Sequence, residues 1–229
     1  MASPGKALHS RSVPNSPKRS PTVVNRRRQQ LQDAINRLLM ELMLAQPAQP
    51  LRFIEDYFSY PENSIERHVV SLKALDPLRI SNGFVFHKIF HSLCAPGVSY
   101  LRCEVLVDLV DRCLADCNFS LGDMLRGRPM FHGHAINFRT FRLVLTECLS
   151  YRLLKNFIDE LEPCVSNETL WTSVEEVVAP NHKAELREIL LSSQLDTSSR
   201  ILPHQMVDIY RTVILQTHLD ALLVNDETF

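Results

Sequence analysis

His87, His91 and Cys94 stand at steps of four and three, which lays two imidazoles and a thiol along one face of a helix. These are zinc donors, so the chemistry to consider is a metal site. The set is incomplete. A zinc centre takes four protein ligands, or three and a water, and partners that orient its imidazoles. No carboxylate lies near these residues in sequence, and Cys113 and Cys117 are four apart rather than in the tighter spacing of a zinc knuckle. The expectation is partly buried helix residues, with no metal and no cofactor. His204 and His218 read as incidental, and the acid pair Glu175-Glu176 as a solvated helix face. The chain carries no P-loop, nucleophile elbow, His-Glu-x-x-His pair or dinucleotide fingerprint. With six glycines in 229 residues there is little material for phosphate-cradling loops. The residues therefore point away from an enzyme.

The elements that would carry these side chains are helical. Hydrophobic residues make up 45% of the chain, enough for a core, and no strong period-two alternation marks a strand. The composition predicts an all-α protein. No run of 18 apolar residues and no apolar leader occurs, so no membrane span or export signal is expected. Six cysteines (Cys94, Cys103, Cys113, Cys117, Cys148 and Cys164) sit mostly in apolar helical runs and read as reduced core thiols of a cytoplasmic protein.

Residues 1–27 read as a disordered basic tail. Pro4, Pro14, Pro17 and Pro21 alternate with serines and basic residues, and too little apolar area is present to offset ordering entropy. The first 28 residues carry seven basic side chains and no acid, while the whole chain has a net charge of −1. Ser16-Pro17-Lys18-Arg19 has the form of a proline-directed kinase site; Ser16 and Ser20 are the candidate phosphorylation sites. Lys18, Arg19, Arg26, Arg27 and Arg28 are positioned to attract an acidic polymer. No aromatic residue is interleaved with them, so bases would have no stacking platform and nucleic acid is not the expected partner.

Residues 28–60 form the best-defined module. Leu31, Ile35, Leu38, Leu39, Leu42 and Met43 recur at steps of three and four, and Ala34 and Met40 widen the stripe. Pro47 and Pro50 end the first helix. A second, very apolar run of about ten residues restarts at Leu51 with Phe53, Ile54, Tyr57 and Phe58. Short helices like these need another surface to bury their faces. The run Leu38-Leu39, Leu42, Gln46-Pro47, Pro50-Leu51, Phe53 and Tyr57-Phe58 resembles the dimerisation and docking domain of the type II regulatory subunit of cyclic-AMP-dependent kinase. The resemblance implies a two-helix hairpin that pairs with a second hairpin, from a copy of this chain or from another protein, and can take an amphipathic helix in a groove. Ile35, Leu38, Leu39, Leu42, Phe53, Ile54, Tyr57 and Phe58 are the expected partner-binding residues.

Residues 61–162 read as a helical body. Ser64 with Arg67 opens a helix through Ile65, Val69 and Leu72; another runs from Leu78 to Leu93; a third is expected over Leu101–Leu114; and a long spine runs from Phe138 to Leu161. Residues 163–229 supply C-terminal helices, with Trp171 as a core anchor. The segment from Gly133 to Leu145, with Ile136, Phe138 and Phe141, is similar to the end of an EF-hand loop and its exit helix. On that alignment the loop is Pro129–Thr140. Pro129, Phe131 and Gly133 stand where oxygen ligands belong and Thr140 where the bidentate Glu belongs, so calcium binding is not expected. Val98-Ser99-Tyr100 is the candidate matching strand of a first, equally degenerate loop.

The order of these parts resembles the family of subunit 1 of the tubulin polyglutamylase complex: a Leu-rich helix, a proline-marked turn, the stretch Phe53-Ile54-Glu55-Asp56-Tyr57-Phe58, a helix like Val69–Leu93, and a phenylalanine-led spine. The resemblance implies a non-catalytic subunit that assembles with a ligase-type glutamylase chain and other subunits and directs them to microtubules. Its expected place is the cytoplasm and cytoskeleton, at centrioles, basal bodies or cilia, where the basic tail would meet acidic tubulin tails. The alternative is an anchoring adaptor at the same organelles, with no role in tubulin modification.

Overall fold

The computed structural model describes residues 21–77, 82–126, 134–160, 170–172, 174–175, 178, 180–192 and 203–224. It divides into two compact units, residues 1–39 and 40–229, with the boundary inside the first helix. The described residues are overwhelmingly helical, as the composition predicts. None of their helices is long and apolar enough to cross a membrane.

Helix α1 spans Pro21–Ala45. It therefore takes in residues 21–27, which the composition assigns to a disordered tail; the helix starts seven residues before the expected module at residue 28. Proline is well placed at a first turn, where its missing N–H has no intrahelical partner, and the arginines that follow are good helix formers. The helix ends where expected. Gln46 adopts a left-handed φ of 44°, its N–H donates to the Leu42 carbonyl at 2.9 Å, and Pro47 follows. Helix α2, Pro50–Ser59, has proline in its first turn. Helix α3, Ile65–Ala74, is capped by the Ser64 hydroxyl, which accepts the Arg67 N–H at 3.2 Å.

Helix α4 covers Gly83–Leu93; Leu78 lies outside the described residues. A two-residue strand β1, Leu101–Arg102, then leads directly into α5, Cys103–Cys113. The helix expected from Leu101 thus starts two residues later, and the strand expected at Val98–Tyr100 falls instead on Leu101 and Arg102. The reason is pairing. β1 runs antiparallel to β2, Ala135–Ile136, with Leu101 opposite Ile136, both fully buried. Short helix α6, Leu121–Leu125, is capped by Ser120, and the Asp111 carboxylate accepts the Leu121 N–H at 2.6 Å. A Cβ at Gly122 would lie 2.9 Å from the Asp111 carboxylate, which would have to shift to admit it.

Helix α7, Phe138–Glu160, is the spine. Asn137 opens it by accepting the Thr140 N–H at 3.0 Å. Its Phe141 meets Phe90 of α4 edge-on, and Val144, Leu145, Leu149 and Leu154 continue the core shared with α5. The C-terminal part supplies α8, Pro180–Ser192; α9, Pro203–Ile209; a π-helical segment, Tyr210–Leu215; and α10, Gln216–Val224. The π segment interrupts what the sequence presents as one continuous final helix. It packs on α7 and α8, and α10 packs on α7. Trp171, expected as a core anchor, is half-buried under the Arg187 guanidinium, and its neighbour Leu170 is the buried residue.

Candidate functional site

Helices α1 and α2 each present apolar residues on more than one side. On α1, Leu31, Ile35, Leu39 and Met43 fall at steps of four and are all exposed. Leu38 is buried, and Leu42 is half-buried. On α2, Phe53 and Tyr57 form the buried face, packed toward α3, while Leu51 at 83% and Phe58 at 51% remain exposed, with Ile54 half-buried between them. The expected partner-binding set therefore splits. Phe53 and Tyr57 are used by the chain's own core, and Leu51, Met40 and Met43 join the outward set.

Glu41 fixes the C-terminal end of α1 to the body. Its carboxylate, 11% exposed, accepts the Ser71 hydroxyl at 2.6 Å, the Tyr57 hydroxyl at 3.2 Å and the Lys88 ammonium at 2.5 Å. Four helices meet at that one side chain. Burial, and then the Glu41 charge, hold the Tyr57 phenol above its ordinary pKa, so it remains a donor; Arg67, whose guanidinium lies 3.7 Å over the ring, acts in the opposite direction. Beneath the turn is a cleft of about 610 Å³ lined by residues including Gln46, Pro47, Phe53, Lys73, Leu149 and Arg152.

The basic residues fall in two groups. Lys18, Arg19, Ser16 and Ser20 lie outside the described residues. Arg26, Arg27 and Arg28 are exposed on the first turns of α1.

His87 and His91 sit on α4 with their Nε2 atoms 3.0 Å apart, exposed, and Cys94 follows half-buried at the helix end. Among the described residues, metal-type donors gather elsewhere. One ligand-type atom from each of Glu147, His182 and His218 lies within 4.8 Å of the other two. Glu147 is on α7, His182 on α8 and His218 on α10. His182 is fully buried, with its Nε2 2.6 Å from a Glu147 carboxylate oxygen. Glu185, one turn on from His182, places a carboxylate oxygen 3.1 Å from His218 Nε2 and 4.0 Å from His182 Nδ1. The two imidazole rings meet edge to face at 4.3 Å.

The sequence carries two faint signals of this cluster. Glu147 falls between Val144 and Tyr151 on the apolar stripe of α7, where a carboxylate requires a partner. His182 and Glu185 are at helical i, i+3 spacing on α8. Nothing local links either signal to His218, 36 residues beyond His182.

No protein-family model, no curated protein and no solved structure matches the chain.

Proposed function

We propose that this chain is a non-catalytic docking subunit of a tubulin polyglutamylase complex, pairing through its N-terminal hairpin with a second helical hairpin from a partner chain. The observation that carries the docking half of this reading is the outward apolar row of α1, Leu31, Ile35, Leu39 and Met43; Leu51 and Phe58 of α2 are exposed as well. A helix that is apolar on two sides has one side left for another surface. The row repeats every four residues along one helix, the spacing with which helices interlock.

The body fits a scaffold with EF-hand ancestry and no calcium site. Leu101 and Ile136 pair across an antiparallel bridge, and each is followed two residues later by the start of a helix, α5 or α7. Paired EF-hand loops share that local symmetry. With Leu101 placed opposite Ile136, the first loop would begin at Cys94, and Pro96 and Val98 would fall at its third and fifth positions, which again offer no side-chain oxygen. The tubulin assignment rests on the order of sequence parts, with exposed Arg26, Arg27 and Arg28 available for acidic tails.

The test is affinity purification of the tagged chain from ciliated cells, beside a Leu39→Asp, Met43→Asp double variant. Recovery of a tubulin-glutamylating ligase with the wild type and its loss with the variant are expected. Recovery of kinase-anchoring or other ciliary scaffolds with no ligase would replace the complex-subunit reading with the adaptor one. Identical partners with both proteins would remove the hairpin face as the interface.

A further inference from the structure

We infer that Glu147, His182 and His218 form a zinc site, with Glu185 as the carboxylate that orients His218, and that the ion ties α7, α8 and α10 together. Two imidazoles and a carboxylate are a ligand set zinc accepts, at bond lengths of about 2.0–2.2 Å. Those bonds put donor atoms roughly 3.3 Å apart in a tetrahedron. The donors here lie within 4.8 Å of one another, and the nearest contact, His182 to Glu147, is 2.6 Å, so the required separation falls between. Side-chain rotation on three fixed helices closes the difference.

Second, the charges balance. Glu147 and Glu185 bring two carboxylates into one cluster, and a divalent cation offsets both while the imidazoles stay neutral as lone-pair donors. Glu185 at 3.1 Å from His218 Nε2 is placed as the orienting carboxylate that zinc-bound histidines ordinarily have.

Third, an independent group points at the same place. Tyr210 is fully buried, its ring stands edge-on to His182 at 5.9 Å, and its hydroxyl has no hydrogen-bond partner among the described residues. Buried donors without partners are uncommon, and a ligating carboxylate is the acceptor such a donor suits.

The backbone adds a fourth observation. Tyr210 opens the π-helical segment, and His218 lies eight residues on. In an uninterrupted α-helix, eight residues leave the two about 80° apart around the axis. The wider π turn closes part of that angle, and both rings reach His182. Such local widenings recur at functional sites.

The experiment is calorimetric titration of zinc chloride into the chelator-stripped full chain, with metal analysis of the dialysed product and thermal melting of each form. One zinc per chain is expected. At a hundredfold excess over the dissociation constant, the melting midpoint should rise by about 5–10 °C. His218→Ala and Glu147→Gln should abolish saturable binding, and Glu185→Gln should weaken it about 10–100-fold. A His87→Ala, His91→Ala double variant should bind zinc as the wild type does. Glu185 is partly exposed, so Glu185→Gln and the wild-type titration decide the matter if the buried variants fail to fold. Cobalt substitution adds a spectroscopic readout of tetrahedral coordination. Absence of saturable uptake by the stripped wild type would overturn the inference. So would zinc retained in folded His218→Ala and Glu147→Gln but lost with His87 and His91.

Discussion

Ser71 on α3 donates its hydroxyl to Glu41 on α1 at 2.6 Å, a contact between residues thirty apart in sequence. The same carboxylate holds Tyr57 of α2. Hydrogen bonds to a charged, largely buried acceptor contribute about 1.5–3 kcal/mol each, whereas the Lys88 contact, on a substantially exposed ammonium, adds little. Glu41→Ala is therefore expected to lower stability by about 2–4 kcal/mol in urea unfolding. A cycle with Ser71→Ala should show coupling of at least about 1 kcal/mol. Additive losses would mean that Glu41 and Ser71 act independently.

Acid should weaken the same corner of the fold through a different side chain. His68 is buried with its Nε2 2.8 Å from the Ser92 hydroxyl. Burial depresses its pKa to about 4; Glu41 opposes the shift, while Lys88 and Arg67 add to it. Between pH 6.5 and 4 the unfolded chain binds a proton at this histidine that the folded chain does not. The sign follows: the stabilisation is fully present above the unfolded value and is lost as pH falls through that window. The total is about 3 kcal/mol. His68→Gln keeps a polar partner for Ser92 without titrating, so urea stability measured from pH 7 to pH 4.5 should fall more steeply in the wild type. Equal slopes would exclude His68 as the source.

Helix by helix, much of this architecture is legible in the residues, because apolar spacing and capping are local. Ser64 with Arg67, the proline pair after α1, and the phenylalanine-led spine each announce an element at or near its observed place. What is not legible depends on pairing at a distance. Leu101 is indistinguishable in sequence from the first residue of a helix until Ile136 sits opposite it. The split of α2 into an inner face with Phe53 and an outer one with Leu51 is hidden because both faces are apolar. Of the zinc cluster, the chain shows only a glutamate on an apolar stripe and a His–Glu pair one turn apart; α10, which follows the π segment, brings the third ligand. The His87, His91 and Cys94 row is legible because its spacing is local, but His87 and His91 are exposed and no carboxylate joins them among the described residues.

The cysteines should divide by reactivity. Burial pushes the Cys103, Cys113 and Cys117 thiols up to about 12, and raises that of the fully buried Cys148 well above its ordinary value. Thiolate is the reactive form, so these four should resist a thiol reagent at pH 8 in the native protein and react on denaturation. Cys94 is half-buried at the end of α4 and should be modified first among the described cysteines. Mass spectrometry of briefly labelled native protein reads this directly. Early modification of Cys113 or Cys148 would mean that the core around α5 and α7 opens readily.

The two faces of α2 should come apart under substitution. Phe53 is buried in the chain's own core, so Phe53→Ala should lower stability by about 3–4 kcal/mol. Tyr57→Phe removes one hydroxyl and its bond to Glu41, a loss of about 1 kcal/mol. Leu51 is 83% exposed, and Leu51→Asp should change stability by no more than about 0.5 kcal/mol. On the proposed docking, capture of a partner hairpin should run in the other order: a carboxylate at position 51, together with Phe58→Asp, would be buried unpaired in the complex and should reduce binding at least about tenfold. Tyr57→Phe, which leaves the outer surface intact, should bind as the wild type does at a temperature where both are folded. If Leu51→Asp, Phe58→Asp is as stable as the wild type and still captures every partner, α2 serves only to close the chain's own core, and the interface must be sought on the α1 row alone.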